Sequence, residues 1–295
     1  MIQFDFIRPQ SIKEACDFLD KSAEVSKVKG AGISLLILLK QGLFRPKYLI
    51  NLEELKELRF IKEEKDGSLR LGALATHRDI ETSDLIEKKY YVLKEMELDL
   101  ASVQVRNRGT IGGDISHAEP FSDPPPVMVA LGGEVKCQSA QGERSVSFDD
   151  FFQDYYETAL EQNEILTEIT IPKIHARTGC AYIKHTLRKA MDKPYVGVAV
   201  YLKLDKHEPV CKEVRIVLGA VASVPIRARE VERVLLNQKI DESFLEHASE
   251  KGSLSLNKID IVYDMRCPED YKKDVIPIVI KRALKLAFER ANRNQ

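Results

Sequence analysis

A chain of 295 residues, 44% hydrophobic and 31% charged, has the composition of a folded globular protein and excludes an intrinsically disordered one. Its 45 lysines and arginines against 46 acids leave a formal net charge of -1, so no positive field exists for capturing nucleic acid or an anionic membrane. Five scattered cysteines, Cys16, Cys137, Cys180, Cys211 and Cys267, form no CxxC pair; they offer neither a zinc site nor an iron–sulfur cradle and read as small buried apolar residues.

The amino terminus "MIQFDFIRPQSIKEACDFLD" has no signal-peptide core, and no apolar run approaches the length of a membrane span, so a cytoplasmic protein is expected. From Ser11, a candidate cap, Ile12, Ala15, Cys16 and Leu19 recur at helical spacing. "VSKVKGAG" then reads as a strand running into a glycine turn, "SLLILLKQG" as a helix ending at Gly42, and "KYLINL" as a strand. Residues 1 to about 55 therefore form a compact α/β unit whose second crossover is right-handed by default. In "FIKEEKDGSLRLGALAT" the pair Asp66-Gly67 sits at a hairpin turn. "HRDIETSDLIEKKYYVLKEMELDLAS" predicts two helices, and "VMVALGGEVKCQSAQGERSVSFDDFF" a strand pair turning at Gln141-Gly142. Alternation of Ile165, Thr167, Ile169 and Ile171 predicts a strand that Pro172 ends.

The polar segment "KIHARTG" marks a boundary. Beyond it "CAYIKHTLRK", "YVGVAVYLKLD" and "CKEVRIVLGAVAS" are strand candidates, and helices take the remainder. The last, from Asp270, sets Ile276, Val279, Ile280, Ala283 and Ala287 on one face, with Lys281, Lys285 and Glu289 away from it. This is a sheet covered by helices.

Two glycine-bearing segments carry the chemistry. In "RNRGTIGGDISHAEPFSD", Gly112 and Gly113 can adopt positive φ, and consecutive amides in such a turn form an anion-binding concavity; the competing reading is a tight turn between a helix and a strand. In "KGAGISLL", between a strand and a helix, Ser34 is a candidate cap and the first helical amides would point at a phosphate. Gly30-x-Gly32 lacks the third glycine of the dinucleotide fingerprint, which leaves a plain strand-to-helix turn as the alternative. Neither segment ends in Gly-Lys-Ser/Thr. Asp114, Glu119 and Asp123 repel phosphate at short range but accept hydrogen bonds from hydroxyls, so a ligand with both phosphates and polyol groups, such as a flavin dinucleotide, suits the whole stretch. Arg106 and Arg108 read as surface solvation or loop positioning. His117 is a candidate proton shuttle, a role that electron transfer from a reduced flavin hardly needs. His77 falls at a helix start, and His185 reads as packed or exposed.

On these residues the chain resembles, over nearly its whole length, the FAD-binding medium subunit of molybdenum hydroxylases, the family of carbon monoxide dehydrogenase and xanthine dehydrogenase. "GAGISLLILLKQGLFRPKYLINL" looks like the family's first pyrophosphate loop, usually Ala-Gly-Gly-x-Ser/Asp-Leu-Leu, with its helix and strand. "ASVQVRNRGTIGGDISHAEPFSDPPPVMVALGGEV" looks like the second and is the more specific match. "YIKHTLRKAMD" and "DMRCPEDYKKDVIPIVIKRAL" resemble a strand and the closing helix of the C-terminal domain.

The resemblance implies an α/β (α+β) fold. A PCMH-type FAD-binding region would span 1–173, with subdomains of about 1–55 and 56–173, followed by a C-terminal domain at 178–291. It implies that Gly30, Ala31, Gly32, Ile33, Ser34 and Leu35 line one side of the FAD pyrophosphate, and Thr110, Ile111, Gly112, Gly113 and Asp114 the other. Ser122 and Asp123 would lie near the pyrophosphate and ribityl, and Lys184 near the isoalloxazine ring, where positive charge stabilises the anionic reduced flavin. Two positions depart from the pattern. Ala31 replaces a glycine, which penalises positive φ if the loop requires it; Asp114 replaces an asparagine, which adds negative charge near the diphosphate.

The implied function is electron transfer between a [2Fe-2S] small subunit, fed by a molybdopterin large subunit, and an external acceptor such as NAD, a quinone or ferredoxin. The alternatives are a structural subunit that has lost flavin, with Ala31 and Asp114 as its marks, and a self-contained flavin oxidase. The latter lacks an evident additional substrate domain and a histidine in either loop for covalent attachment.

Overall fold

The computed structural model describes residues 3–188, 191–253 and 260–294. Lys189 and Ala190 of "YIKHTLRKAMD" and part of the helical remainder, 254–259, lie outside them. The chain builds three layers of sheet and helix in sequence order.

The first is a parallel sheet of order β1-β3-β2, made of β1 (Asp5–Ile7), β2 (Ser26–Lys29) and β3 (Tyr48–Asn51). Helix α1 (Ile12–Ser22) and helix α2 (Ile33–Lys40) form the crossovers. Ser11 caps α1, accepting from the Glu14 amide at 3.1 Å, and Ala15, Cys16 and Leu19 bury its inner face. At three residues, β1 is too short to show a period in sequence.

The second layer is a five-stranded antiparallel sheet, β4-β5-β10-β6-β7: β4 (Ile61–Glu63), β5 (Leu69–Gly72), β6 (Glu134–Ser139), β7 (Gly142–Ser147) and, at its centre, β10 (Ile165–Ile171). The turns at Asp66-Gly67 and Gln141-Gly142 join β4 to β5 and β6 to β7. Between β5 and β6 the expected two helices are three short ones: α3 (His77–Glu81), α4 (Asp84–Lys89) and α5 (Tyr91–Asp99). Thr76 caps α3 in a capping box with Asp79, and Ser83 caps α4 afresh, so Thr82-Ser83 interrupts what its periodicity would otherwise continue. Then come α6 (Val103–Arg106), α7 (Ile111–His117) and α8 (Pro124–Ala130). Helix α8 takes the Val-Met-Val run read with the strands. Its prolines occupy the first turn, where a missing N–H costs nothing. A short α9 (Phe148–Phe151) and a ribbon of β8 (Phe152–Asp154) and β9 (Glu157–Thr158) lead into β10.

The third layer is an antiparallel sheet, β11 (Thr178–His185), β12 (Val196–Leu204), β13 (Cys211–Gly219) and β14 (Ile226–Arg227), in that order. It is covered by α10 (Arg229–Leu235), α11 (Glu242–Ser253) and α12 (Glu269–Arg293). The face of α12 bearing Ile276, Val279, Ile280, Ala283 and Ala287 is buried in the core it forms with β11–β13. The opposite face of this sheet joins the core of the second layer through Tyr182, Ala199, Tyr201 and Val217, which fixes the two layers together. All five cysteines are buried and free. No described helix is long and apolar enough to cross a membrane.

Candidate functional site

The three layers converge on one cavity of about 810 Å³, within the range of clefts that hold cofactors. Its first wall is the β2–α2 turn. Gly32 has φ +81° and caps α2 with its backbone, a conformation that favours glycine, so the cap lies two residues before the expected Ser34. Ala31 is not among the positive-φ residues, so its methyl group meets no backbone penalty here. Among the described residues, the amides of Ala31, Gly32, Ile33, Ser34 and Leu35 find no acceptor, and Leu36 is the first to bond back, to Gly32 O at 3.0 Å. They line the cavity at the positive end of α2.

Lys29 holds this turn in place. Its buried ammonium donates to Gly30 O (2.8 Å), Asn51 Oδ1 (2.9 Å) and Glu53 Oε2 (2.7 Å). Sequence reasoning missed it, since its side-chain partners, Asn51 and Glu53, lie on a different strand and loop.

The second wall is α7, which corrects the reading of "GTIGGD" as a positive-φ loop: Gly112 and Gly113 are helical. Their amides are also not free. Ile111 donates to Ala75 O and Gly112 to Ala73 O, each at 3.0 Å, while Gly113 makes a longer 3.3 Å bond to the Thr110 cap hydroxyl. Gly112 is required by contact: a Cβ there would stand 2.6 Å from Ala73 Cβ and 2.7 Å from Ala73 O. Gly113 faces the cavity, and a Cβ there would meet only Thr110 Oγ1, at 2.8 Å. Gly30 lies close to the same hydroxyl, since a Cβ there would stand 2.9 Å from it, so the two glycine segments pack side by side. Ile111 does not line the cavity; it is fully buried in the core behind it.

The third wall comes from the C-terminal sheet. Asp123, just before α8, accepts from Tyr182 Oη at 2.6 Å and from Lys184 Nζ at 2.8 Å, and Lys184 also donates to Asp99 O at 2.8 Å. Burial raises the Asp123 carboxyl to about 6 despite both donors. The Lys184 charge expected to face a flavin ring is therefore engaged with a carboxylate. Asp114 accepts from the Ser122 hydroxyl and pairs with His77, which lines the cavity behind it. His117 packs 5.1 Å from the Tyr156 ring, and burial lowers its pKa, so it is a neutral imidazole at neutral pH. Arg106 is buried rather than surface-exposed. It clamps the segment before α7, donating to Glu81 Oε2 (2.8 Å) and Leu100 O (2.7 Å).

The cavity offers free amides at one end, hydroxyl-accepting carboxylates beside them and apolar walls such as Leu74, Leu38 and Phe44. That donor set fits a dinucleotide with a diphosphate, a polyol and a planar ring.

Comparison with known proteins agrees. Residues 2–174 match the family model of the FAD binding domain in molybdopterin dehydrogenase, and residues 181–287 that of the CO dehydrogenase flavoprotein C-terminal domain. The glyceraldehyde dehydrogenase medium chain of Sulfolobus acidocaldarius is 31% identical, covering 96% of this chain and 98% of its own. The carbon monoxide dehydrogenase medium chain of Hydrogenophaga pseudoflava is 32% identical over 98% of each. Among solved structures, carbon monoxide dehydrogenase from the same organism superposes with a TM-score of 0.91 at 32% identity, and quinoline 2-oxidoreductase from Pseudomonas putida with 0.89 at 29%; each match covers 98% of both chains.

Proposed function

The chain belongs to the FAD-binding medium-subunit family of the molybdenum hydroxylases, and from that premise we propose that it is the electron-transfer flavoprotein of such a complex. In this reading it exchanges electrons with a [2Fe-2S] small subunit, which a molybdopterin large subunit supplies, and delivers them to an external acceptor such as NAD. The observation that carries the reading is the row of amides from Ala31 to Leu35, which find no acceptor among the described residues and open into a cavity that all three layers line.

Bound there, FAD supplies the capacity to take up electrons and release them to an acceptor. The chain's own residues bind and orient. The α2 amides and helix dipole would hold the diphosphate, and Thr110 and Gly113 would line its other side. Asp114 would stand beside the diphosphate, and Ser122 and Asp123 would bound the polyol region. Lys184, tied to Asp123 and the Asp99 carbonyl, fixes the C-terminal sheet against this edge. His117, neutral, moves no proton in this scheme. Neither departure from the family pattern opposes FAD: Ala31 sits on unstrained backbone, and Asp114 has a counter-charge.

The test is a visible spectrum of the purified chain with chromatography of the released cofactor, repeated on Gly113→Val. Near-stoichiometric FAD in the wild type and its loss in the folded variant are expected. Within the purified complex, Gly113→Val should retain substrate reduction of the metal centres yet lose acceptor reduction. Unchanged acceptor reduction would refute the electron-transfer role.

A further inference from the structure

A buried ion cluster stands directly behind the α7 wall. His77, at the first position of α3, is 2% exposed. Its Nδ1 lies 3.1 and 3.0 Å from the two carboxylate oxygens of Glu97 on α5, and its Nε2 lies 3.5 Å from Asp114 Oδ2 on α7. The other Asp114 oxygen takes the Ser122 hydroxyl. A neutral imidazole has a single N–H, so it can donate to only one of two carboxylates; a ring set between two carboxylates serves both when it carries both protons. Burial opposes that charge, but Glu97 and Asp114 together outweigh it and hold His77 up to about 10. Burial alone would likewise raise Asp114, and His77 together with the Ser122 hydroxyl more than offsets it, which holds Asp114 below its ordinary value as a carboxylate. Glu97, fully buried, is pushed up by desolvation against the opposing pull of His77, and Asp114 is the partner that faces the cavity. Arg106 does not compete for it, because its guanidinium is spent on Glu81 and the Leu100 carbonyl.

We propose that His77 is a positioning residue for the cofactor's diphosphate, acting through Asp114. Glu97 anchors the ring from behind, and His77 turns the Asp114 carboxylate inward and cancels its charge, so an acid in the first turn of α7 does not repel a neighbouring anion. His77, Asp114 and Glu97 form one unit across three helices, and its purpose is to let an aspartate stand on the cavity wall. This rests on the diphosphate lying between α2 and α7.

The experiment measures FAD dissociation constants by equilibrium dialysis at pH 7.5 on the full chain freed of flavin, for wild type, His77→Gln, Asp114→Asn and the double variant. His77→Gln exposes the diphosphate to an uncompensated carboxylate and should weaken FAD by about tenfold or more. Asp114→Asn should change affinity by no more than about threefold, and adding it to His77→Gln should restore most of the loss. Loss of a merely structural histidine would not be rescued by changing its partner, so additive losses overturn the proposal. Nitrogen-15 spectra of the flavin-free wild type decide it even if His77→Gln does not fold: both His77 ring nitrogens should carry protons at pH 8, and a singly protonated ring overturns it. FAD affinity unmoved by Gly113→Val would place the diphosphate elsewhere and sink the site reading as well. A Gly113-sensitive site with additive losses would sink this proposal alone.

Discussion

Alanine at Gly112 and at Gly113 should have opposite consequences, although the two residues are adjacent in one helix. On unstrained helical backbone, Gly→Ala stabilises by about 0.5–1 kcal/mol, because glycine loses more chain entropy on folding. At Gly112 that gain is overridden. The new Cβ would lie 2.6–2.8 Å from three atoms of Ala73, two of them backbone, so α7 must move off the end of β5. Overpacking of this kind costs about 1–3 kcal/mol, and the shift also strains the 3.0 Å bond from Gly112 N–H to Ala73 O, a further ~1 kcal/mol. The net expectation is a loss of about 2–3 kcal/mol. At Gly113 the Cβ meets only the Thr110 hydroxyl, which can rotate away; the lost cap costs about 1 kcal/mol and the helix-propensity gain offsets most of it. Gly113→Ala should therefore stay within about 1 kcal/mol of wild type while weakening FAD, because its methyl group enters the cavity. Urea unfolding midpoints at unchanged slope give the stabilities, and dialysis gives the affinities. A Gly112→Ala protein as stable as wild type, or a Gly113→Ala protein that loses more than Gly112→Ala, would refute the packing argument.

Ala31→Gly should leave FAD affinity within about twofold, because the alanine is not at positive φ; a gain of tenfold would show that the methyl group is a defect after all. Lys184→Met leaves the buried Asp123 carboxylate without its cation, a change that costs about 3–5 kcal/mol when the acid stays ionised. The loss in urea midpoint should be largest near pH 8 and shrink near pH 5, where Asp123 takes up its proton; a loss independent of pH would contradict this. In the wild type, Asp123 has a folded pKa of about 6 against an ordinary value of 3.8, so its contribution is fully present below the lower value and is lost as pH rises through the upper one. Asp123→Asn should flatten the stability profile between pH 4 and 6.5 by up to roughly 3 kcal/mol, and an unchanged profile would place the titration elsewhere. His77 carries the same sign at alkaline pH. Its contribution is fully present below about 6.5 and lost as pH climbs from there through about 10, so wild-type stability should fall across that window, and the fall should be absent from the His77→Gln/Asp114→Asn double variant.

Hydrophobic period, capping residues and turn pairs are local, and what they encode was legible. The Ser11 cap and buried face of α1, the Asp66-Gly67 and Gln141-Gly142 turns, the alternation of β10 and the apolar face of α12 were all read from windows of a few residues. Where local signals compete, reading faltered: Ser83 starts a new helix inside an apolar period, three prolines begin α8 ahead of a strand-like Val-Met-Val run, and β1 is shorter than any period.

The site divides along the same line. Two glycine segments stand out in the sequence as places where backbone meets something closely, but which glycine serves which purpose depends on contacts across the chain. Gly32 supplies the positive φ; Gly112 supplies room for Ala73, thirty-nine positions earlier. Among the described residues, the amides without acceptors are those of the turn into α2 and its first residues, because Ala73 O, Ala75 O and the Thr110 hydroxyl take those of α7. Charge compensation is more distant still: Lys29 with Glu53, His77 with Glu97 and Asp114, and Lys184 with Asp123 are separated by 24, 20, 37 and 61 positions. The sequence by itself determined the types of element and the family chemistry, because propensity and pattern act over one or two turns of chain. Only the tertiary structure decided which amides are free and which charges are cancelled, because both depend on what the fold brings within about 4 Å, a distance no spacing in the chain encodes.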